Sequence, residues 1–160
     1  MILFAGASEK YMTGKDRMGT IVALCISEGK GTRKRAVPAA VLRENHGLEN
    51  DAHAGSGHRQ VSLLSLEKIV DFQKRGALVS YGDFGENLVV SGLDLAGLPV
   101  GTRLGLGDAL LEITQIGKEC HSRCAIYHSM GECIMPTQGV FARVLRGGEV
   151  RAGDTMELDG

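Results

Sequence analysis

Glycine punctuates this chain: 23 of its 160 residues are Gly and three are Pro. The glycines stand between short runs rich in β-branched and apolar residues. Gly enters the left-handed backbone of tight turns without steric cost, so the pattern predicts many short strands joined by turns rather than long helices. Residues 20–26 (TIVALCI) read as a buried strand. Residues 37–42 read as a second, with Pro38 suited to an edge or a strand start. In 59–64 (RQVSLL), Val61 and Leu63 share one face and Gln60 and Ser62 the other, the alternation of a half-buried strand. Further strands are predicted over 87–90, 102–106, 109–115, 140–145 and 155–158. Ser65 is placed to N-cap a helix through Glu67, Ile69, Val70 and Phe72 with Gly76 as its stop, and residues 121–130 suit a short second helix. The whole reads as a mainly β protein, an antiparallel β-barrel with a few short helices. A parallel α/β sheet would need regular crossover helices, which the pattern lacks.

Length and charge narrow the classes further. A chain of 160 residues suits one domain with a core of its own. A net charge of -1 argues against a nucleic-acid binder, whose footprint is basic. No apolar run is long enough to span a bilayer. The opening apolar stretch, 1–7, is short and follows no basic residue, unlike a secretory signal. A cytoplasmic location is therefore expected, where clustered cysteines serve catalysis or metals more often than disulfides. Because the strand pattern begins at Met18, residues 1–17 are expected to form a flexible N-terminal extension and 18–160 the barrel domain.

Chemistry concentrates in residues 118–124 (KECHSRC) and in Cys133 downstream. A thiol beside a cation has its thiolate favoured, and the thiolate is both nucleophile and metal ligand. Three uses compete: a structural metal site, a transient disulfide, and sulfur or metal-cofactor chemistry. The spacing Cys120-x3-Cys124-x8-Cys133 matches neither the paired short elements of zinc sites nor iron–sulfur runs, although a Cys3His set with His121 or His128 stays open. Cys120 and Cys124 are spaced by one helical turn, which suits a transient disulfide. Cys25, inside an apolar strand, and Cys133, between Glu132 and Ile134, read as packing. Cys120 follows a predicted strand end beside Lys118, His121 and Arg123, and is the favoured working thiol.

Other groups carry ligand chemistry. The basic loop 30–35 (KGTRKR), with Lys34, suits a solvated surface or a phosphate cradle in which Arg donates bidentately. Arg59, Lys118, Arg123 and Arg143 would add to an anion site if the fold gathers them. The turn-rich loop 45–58 holds His46, His53 and His58 with Asp51, types suited to zinc, to acid–base work or to hydrogen bonding near a ligand. Asn87, after two turn glycines, suits a cap or a ligand contact.

The ordered series of these motifs resembles the MOSC domain family, named for the C-terminal domain of molybdenum-cofactor sulfurases. The resemblance is carried by GLENDAH (47–53), HRQVSLL (58–64), FGENLVVSGL (84–93), VGTRL (100–104), GDALLEITQ (107–115), the cysteine segment and GVFARV (139–144). It departs from the family pattern at Asn50-Asp51, where Gly-Asp is usual. It implies an antiparallel β-barrel with a hallmark cysteine after strand 109–115. By position this is Cys120, with Cys124 the rival because some branches carry a pair like Arg123-Cys124. The implied function is binding the molybdenum cofactor (molybdopterin), with Cys120 as the metal ligand, or carrying sulfur as a cysteine persulfide for metal–sulfur cofactor assembly. Some relatives reduce N-hydroxylated compounds. Lys34, His53, His58, Arg59, Asn87 and Arg123 are then the candidates for holding the cofactor. The pyridoxal-phosphate domain of the large sulfurases has no counterpart here, so a sulfur donor or acceptor enzyme is implied, and a reductase role would need a separate redox partner. The alternatives are a non-catalytic cofactor delivery or storage module and a zinc-stabilised barrel without chemistry.

Overall fold

Strand β1 (Met18–Ile26) is long enough to bind three neighbours in succession, and this closes the molecule on itself. The computed structural model describes residues 17–29, 33–118, 126 and 130–159. Along the chain β1 is followed by β2 (Arg35–Val37), β3 (Ala39–Arg43), β4 (Gly47–Leu48), β5 (Val61–Ser65) and helix α1 (Leu66–Lys74). Then come β6 (Leu88–Ser91), β7 (Arg103–Leu106), β8 (Ala109–Ile116), the single-turn α2 (Met135–Gln138), β9 (Val140–Arg146), β10 (Gly148–Arg151) and β11 (Thr155–Asp159). The first residues of β1 pair with β11, its middle with β6 and its end with β2. The order β11-β7-β8-β9-β5-β6-β1, joined back through β11–β1, is a closed barrel of seven strands. A small sheet, β10-β3-β4, lies beside it. No helix among the described residues is long and apolar enough to cross a membrane.

The barrel is mixed rather than purely antiparallel. β5 and β6 run parallel, with Leu63 opposite Leu88 and Ser65 opposite Val90. Parallel neighbours need a crossover connection, and α1 supplies it. Ser65 stands at the N-cap of α1 without capping it by its side chain. As the last residue of a buried strand it spends its hydroxyl elsewhere, donating to the Leu93 carbonyl at 2.8 Å and accepting from the Leu95 amide at 3.2 Å. The run 37–42 divides at Pro38 into β2 and β3, as the missing proline N–H requires. β4 and β10 fall in stretches that read as turns, and α2 in a stretch to which the sequence pattern assigns no element.

Two apolar layers share the barrel wall. Ile21, Leu63, Leu88, Leu104, Leu111 and Val144 fill the interior. Leu64, Ile69, Phe72, Phe84, Val89 and Phe141 form a second cluster on the outer face. Alternation along β6 and β9 feeds one layer and then the other, as the two-residue strand period requires. This explains β5, where every residue is buried instead of every second one. Ser62 and Leu64 point away from the barrel interior, yet the outer cluster and its loops cover that face. The N-terminal extension expected over 1–17 lies, apart from Arg17, outside the described residues, as does most of the helix expected over 121–130.

Candidate functional site

Where β5 meets the loops after β1, β4 and α1, a polar network sits in a largely apolar wall. At its centre the Lys34 ammonium and the Asp51 carboxylate pair at 2.7 Å, with side chains 3% and 0% exposed. Asp51 Oδ1 also accepts the Ser27 amide at 2.9 Å, and Oδ2 accepts Asn87 Nδ2 at 3.2 Å. Burial alone would raise the Asp51 carboxyl, but the bonds from Lys34, the Ser27 amide and Asn87 outweigh it and hold the group below its ordinary range. Lys34 Nζ further reaches Ser27 Oγ at 3.3 Å and His53 Nδ1 at 3.1 Å.

Asn87 ties this network to the barrel. Its Oδ1 accepts the Ser62 amide at 2.9 Å, and its Nδ2 donates to the Cys25 carbonyl at 3.0 Å as well as to Asp51. The loop before it is shaped by Glu86, fully buried, whose carboxylate accepts the Gly82 and Phe84 amides at 2.9 and 3.0 Å. Gly82 has φ +90 and lies so close to Lys34 that a Cβ there would stand 2.3 Å from the Lys34 carbonyl oxygen. Only Gly lets the two loops approach in this way.

Above the network opens a cavity of about 350 Å³ lined by Lys34, His53, Arg59, Gln60, Ser62, Phe84, Gly85, Asn87, Lys118, Met135 and Phe141. That size suits a small cofactor or ligand. No carboxylate of the described residues lines it. Lys34 is neutralised by Asp51 behind it, whereas neither Arg59 nor Lys118 meets a carboxylate among the described residues. The Arg59 guanidinium lies 5.5 Å from the centre of the Phe141 ring, a cation–π contact that steadies its exposed head. The Ser62 hydroxyl, buried in the wall, has no hydrogen-bond partner among the described residues. One flank is therefore cationic and hydroxylic and the other apolar and aromatic, which suits an anionic ligand with a flat or apolar body.

Of the residues singled out from sequence, Lys34, His53, Arg59 and Asn87 line this cavity together with Lys118. His58 does not line it: the ring is exposed and bonds Gln115 Oε1 at 2.7 Å. Arg143 pairs with Glu112 at 2.7 Å away from the cavity. The basic loop forms no cradle among its described members. Arg33 pairs with Asp83 and Arg35 with Glu28, while Lys34 turns inward. No three His, Cys, Asp or Glu residues among those described stand close enough to hold a metal ion. Cys120, Cys124, His121, Arg123 and His128 lie outside the described residues. Cys25 is fully buried and its thiol is pushed up to about 12, chiefly by that burial, so it is a core residue and not a nucleophile. Ser27 and Ser62 carried no sequence signal, since a serine's burial and partners depend on segments distant in the chain.

The family model of the MOSC domain matches residues 50–157. The chain belongs to the MOSC domain family. This MOSC chain departs from the usual Gly-Asp at Asn50-Asp51, and the geometry explains the exchange: Asn50 has φ 69, left-handed backbone that Gly favours and Asn tolerates. Among solved structures, it resembles the YuaD protein from Bacillus subtilis, with a TM-score of 0.75 and 20% identity, covering 88% of this chain and 95% of that one. YiiM from Geobacillus stearothermophilus gives a TM-score of 0.67 at 20% identity over 89% of this chain and 75% of that one. YiiM from Escherichia coli gives 0.64 at 21% identity over 88% and 70%. At such identities the likeness is one of fold. No curated protein matches the chain.

Proposed function

We propose that this MOSC protein is linked to the molybdenum cofactor, with the Cys120 thiolate as its working sulfur and the cavity as the seat of the anionic part of the ligand. The observation that carries the reading is the composition of the cavity: two cations, Arg59 and Lys118, and the buried Ser62 hydroxyl, with no carboxylate partner for the cations and no hydrogen-bond partner for the hydroxyl among the described residues. A pterin phosphate fits this donor set. Arg59 is suited to bind it bidentately, Lys118 as a point charge and Ser62 through its O–H, while Phe84, Met135 and Phe141 offer an apolar wall. Chain connectivity adds support, because Cys120 follows the cavity residue Lys118 by two positions and two residues of chain span at most about 7 Å. The cations of Lys118 and Arg123 next to it in sequence favour the thiolate.

When bound, the cofactor would supply molybdenum redox chemistry, with Cys120 as a protein ligand. The same thiolate also suits sulfur carrying. It attacks the outer sulfur of a donor persulfide, the new S–S bond forms as the donor's S–S bond breaks, and the donor leaves as a thiolate, so no oxidant is consumed. Elemental analysis and intact mass spectrometry of protein made in a cofactor-competent host test the reading. The expected result is molybdenum with a pterin, or one extra sulfur on one cysteine, lost in Cys120→Ser. Retention of either at wild-type level in that variant, or stoichiometric zinc with neither, would overturn it.

A further inference from the structure

Glu86 is fully buried and forms no ion pair among the described residues. A carboxylate buried without a cation is costly, and hydrogen bonds must hold it there. Its two oxygens are divided between two amides of the loop before it: Oε2 accepts from Gly82 at 2.9 Å and Oε1 from Phe84 at 3.0 Å. The loop is thus pinned on both sides of Asp83. At Gly82 it presses on the Lys34 main chain, which sets its distance from the polar wall. At Phe84 it lines the cavity, with the ring centred 6.0 Å from that of Phe72 on α1. Two phenyl rings therefore border the cavity, and they differ. Phe141 carries the Arg59 guanidinium over its ring, whereas no cation among the described residues lies over Phe84.

We infer that Glu86 is a positioning residue that fixes Phe84 as the wall against which the planar, apolar part of a phosphorylated ligand packs. This role rests on the anion-holding reading proposed above. Arg59 and Lys118 suit the phosphate, but a phosphate group is the same in every such ligand, so they do not tell one phosphate compound from another. Selection among those compounds falls to the apolar flank. Phe84 is held there twice, its amide by Glu86 and its ring by Phe72. A Gln at position 86 would keep the shape but offer one acceptor oxygen to two amides, and would set its NH2 group against the second. The main chain at Gly82 or Phe84 must then move, and the Phe84 wall with it. Arg59 and Lys118 stand on other segments of the chain and keep their places.

Calorimetric titration of the full chain with inorganic phosphate and with phenyl phosphate, at roughly pH 8 where the phosphate groups are dianionic, reads the two flanks separately. The wild type should bind both, phenyl phosphate the tighter by at least about fivefold. In Glu86→Gln that ratio should fall below about twofold, while inorganic phosphate stays within about twofold of its wild-type affinity. Phe84→Leu should lower the ratio at least about twofold, and adding Glu86→Gln to it should lower it no further, because the two act through one wall. Equal weakening of both ligands in Glu86→Gln, an undiminished ratio there, or a further fall in the double variant would overturn the positioning role. If Glu86→Gln does not fold, Phe84→Leu decides alone, and an undiminished ratio in it overturns the role. A wild-type ratio near one refutes the Phe84 wall and leaves the anion cavity standing. Inorganic phosphate that does not bind the wild type refutes both.

Discussion

Removing the Lys34 ammonium while keeping its apolar stem, in Lys34→Met, should strip a buried carboxylate of its counter-charge. Asp51 would keep the Ser27 amide and Asn87 as donors but would have no cation, with its side chain fully excluded from solvent. Breaking one side of a buried pair costs about 3–5 kcal/mol, and the near-equal volume of Met keeps any packing loss small by comparison. The cost should depend on pH. In the wild type the folded-state Asp51 lies below its ordinary range, so its contribution is present above the unfolded value of ~3.9 and is lost as pH falls through the folded value. In the variant burial still pushes the carboxyl up and the strongest opposing bond is gone, so the folded value rises. The folded variant then binds more protons than its unfolded chain, and acidification narrows its deficit. Urea unfolding at pH 7 and at roughly pH 5 measures both effects. A loss below about 1 kcal/mol at pH 7, or a deficit that does not shrink at the lower pH, would refute the reasoning. Adding Asp51→Asn should recover part of the loss, because it removes the stranded charge.

Two further outcomes follow from the same wall. Asn87→Ala should cost roughly 3 kcal/mol or more in urea unfolding, because it strands the buried Ser62 amide and Cys25 carbonyl and takes a donor from Asp51; a loss under about 1 kcal/mol would contradict the bracing role. Cys25, with its thiol pushed up to about 12 and no solvent contact, should resist a thiol reagent at roughly pH 8 in the native protein and react only in denaturant, as peptide mapping would show.

Much of the barrel was legible because strand signals are local. Apolar periodicity and Gly or Asp turns placed β1, β5 to β9 and β11 within a residue or two of their observed ends. β10 was hidden, since Gly148 beside Gly147 reads as a turn, and its strand state comes from pairing with β3. The parallel β5–β6 pair was hidden for a related reason: the partner of a strand is set by closure of the whole sheet, and one short helix was enough to permit a parallel neighbour. At the site, residue types pointed to Lys34, His53, Arg59 and Asn87 but not to their duties. Lys34 suited a phosphate contact until Asp51, 17 residues away, took its charge.

The sequence by itself determined that the chain would be a turn-rich β-barrel of the MOSC kind with three of its four cysteines in one segment, because strand period, turn residues and ordered motifs are properties of neighbouring residues. Tertiary structure alone decided which cations line the cavity and which are spent in the wall, that Ser62 finds no partner among the described residues, and that His53 meets an ammonium. Those outcomes depend on burial and on contacts between residues far apart in the chain, where the partner group and not the residue type sets the chemistry.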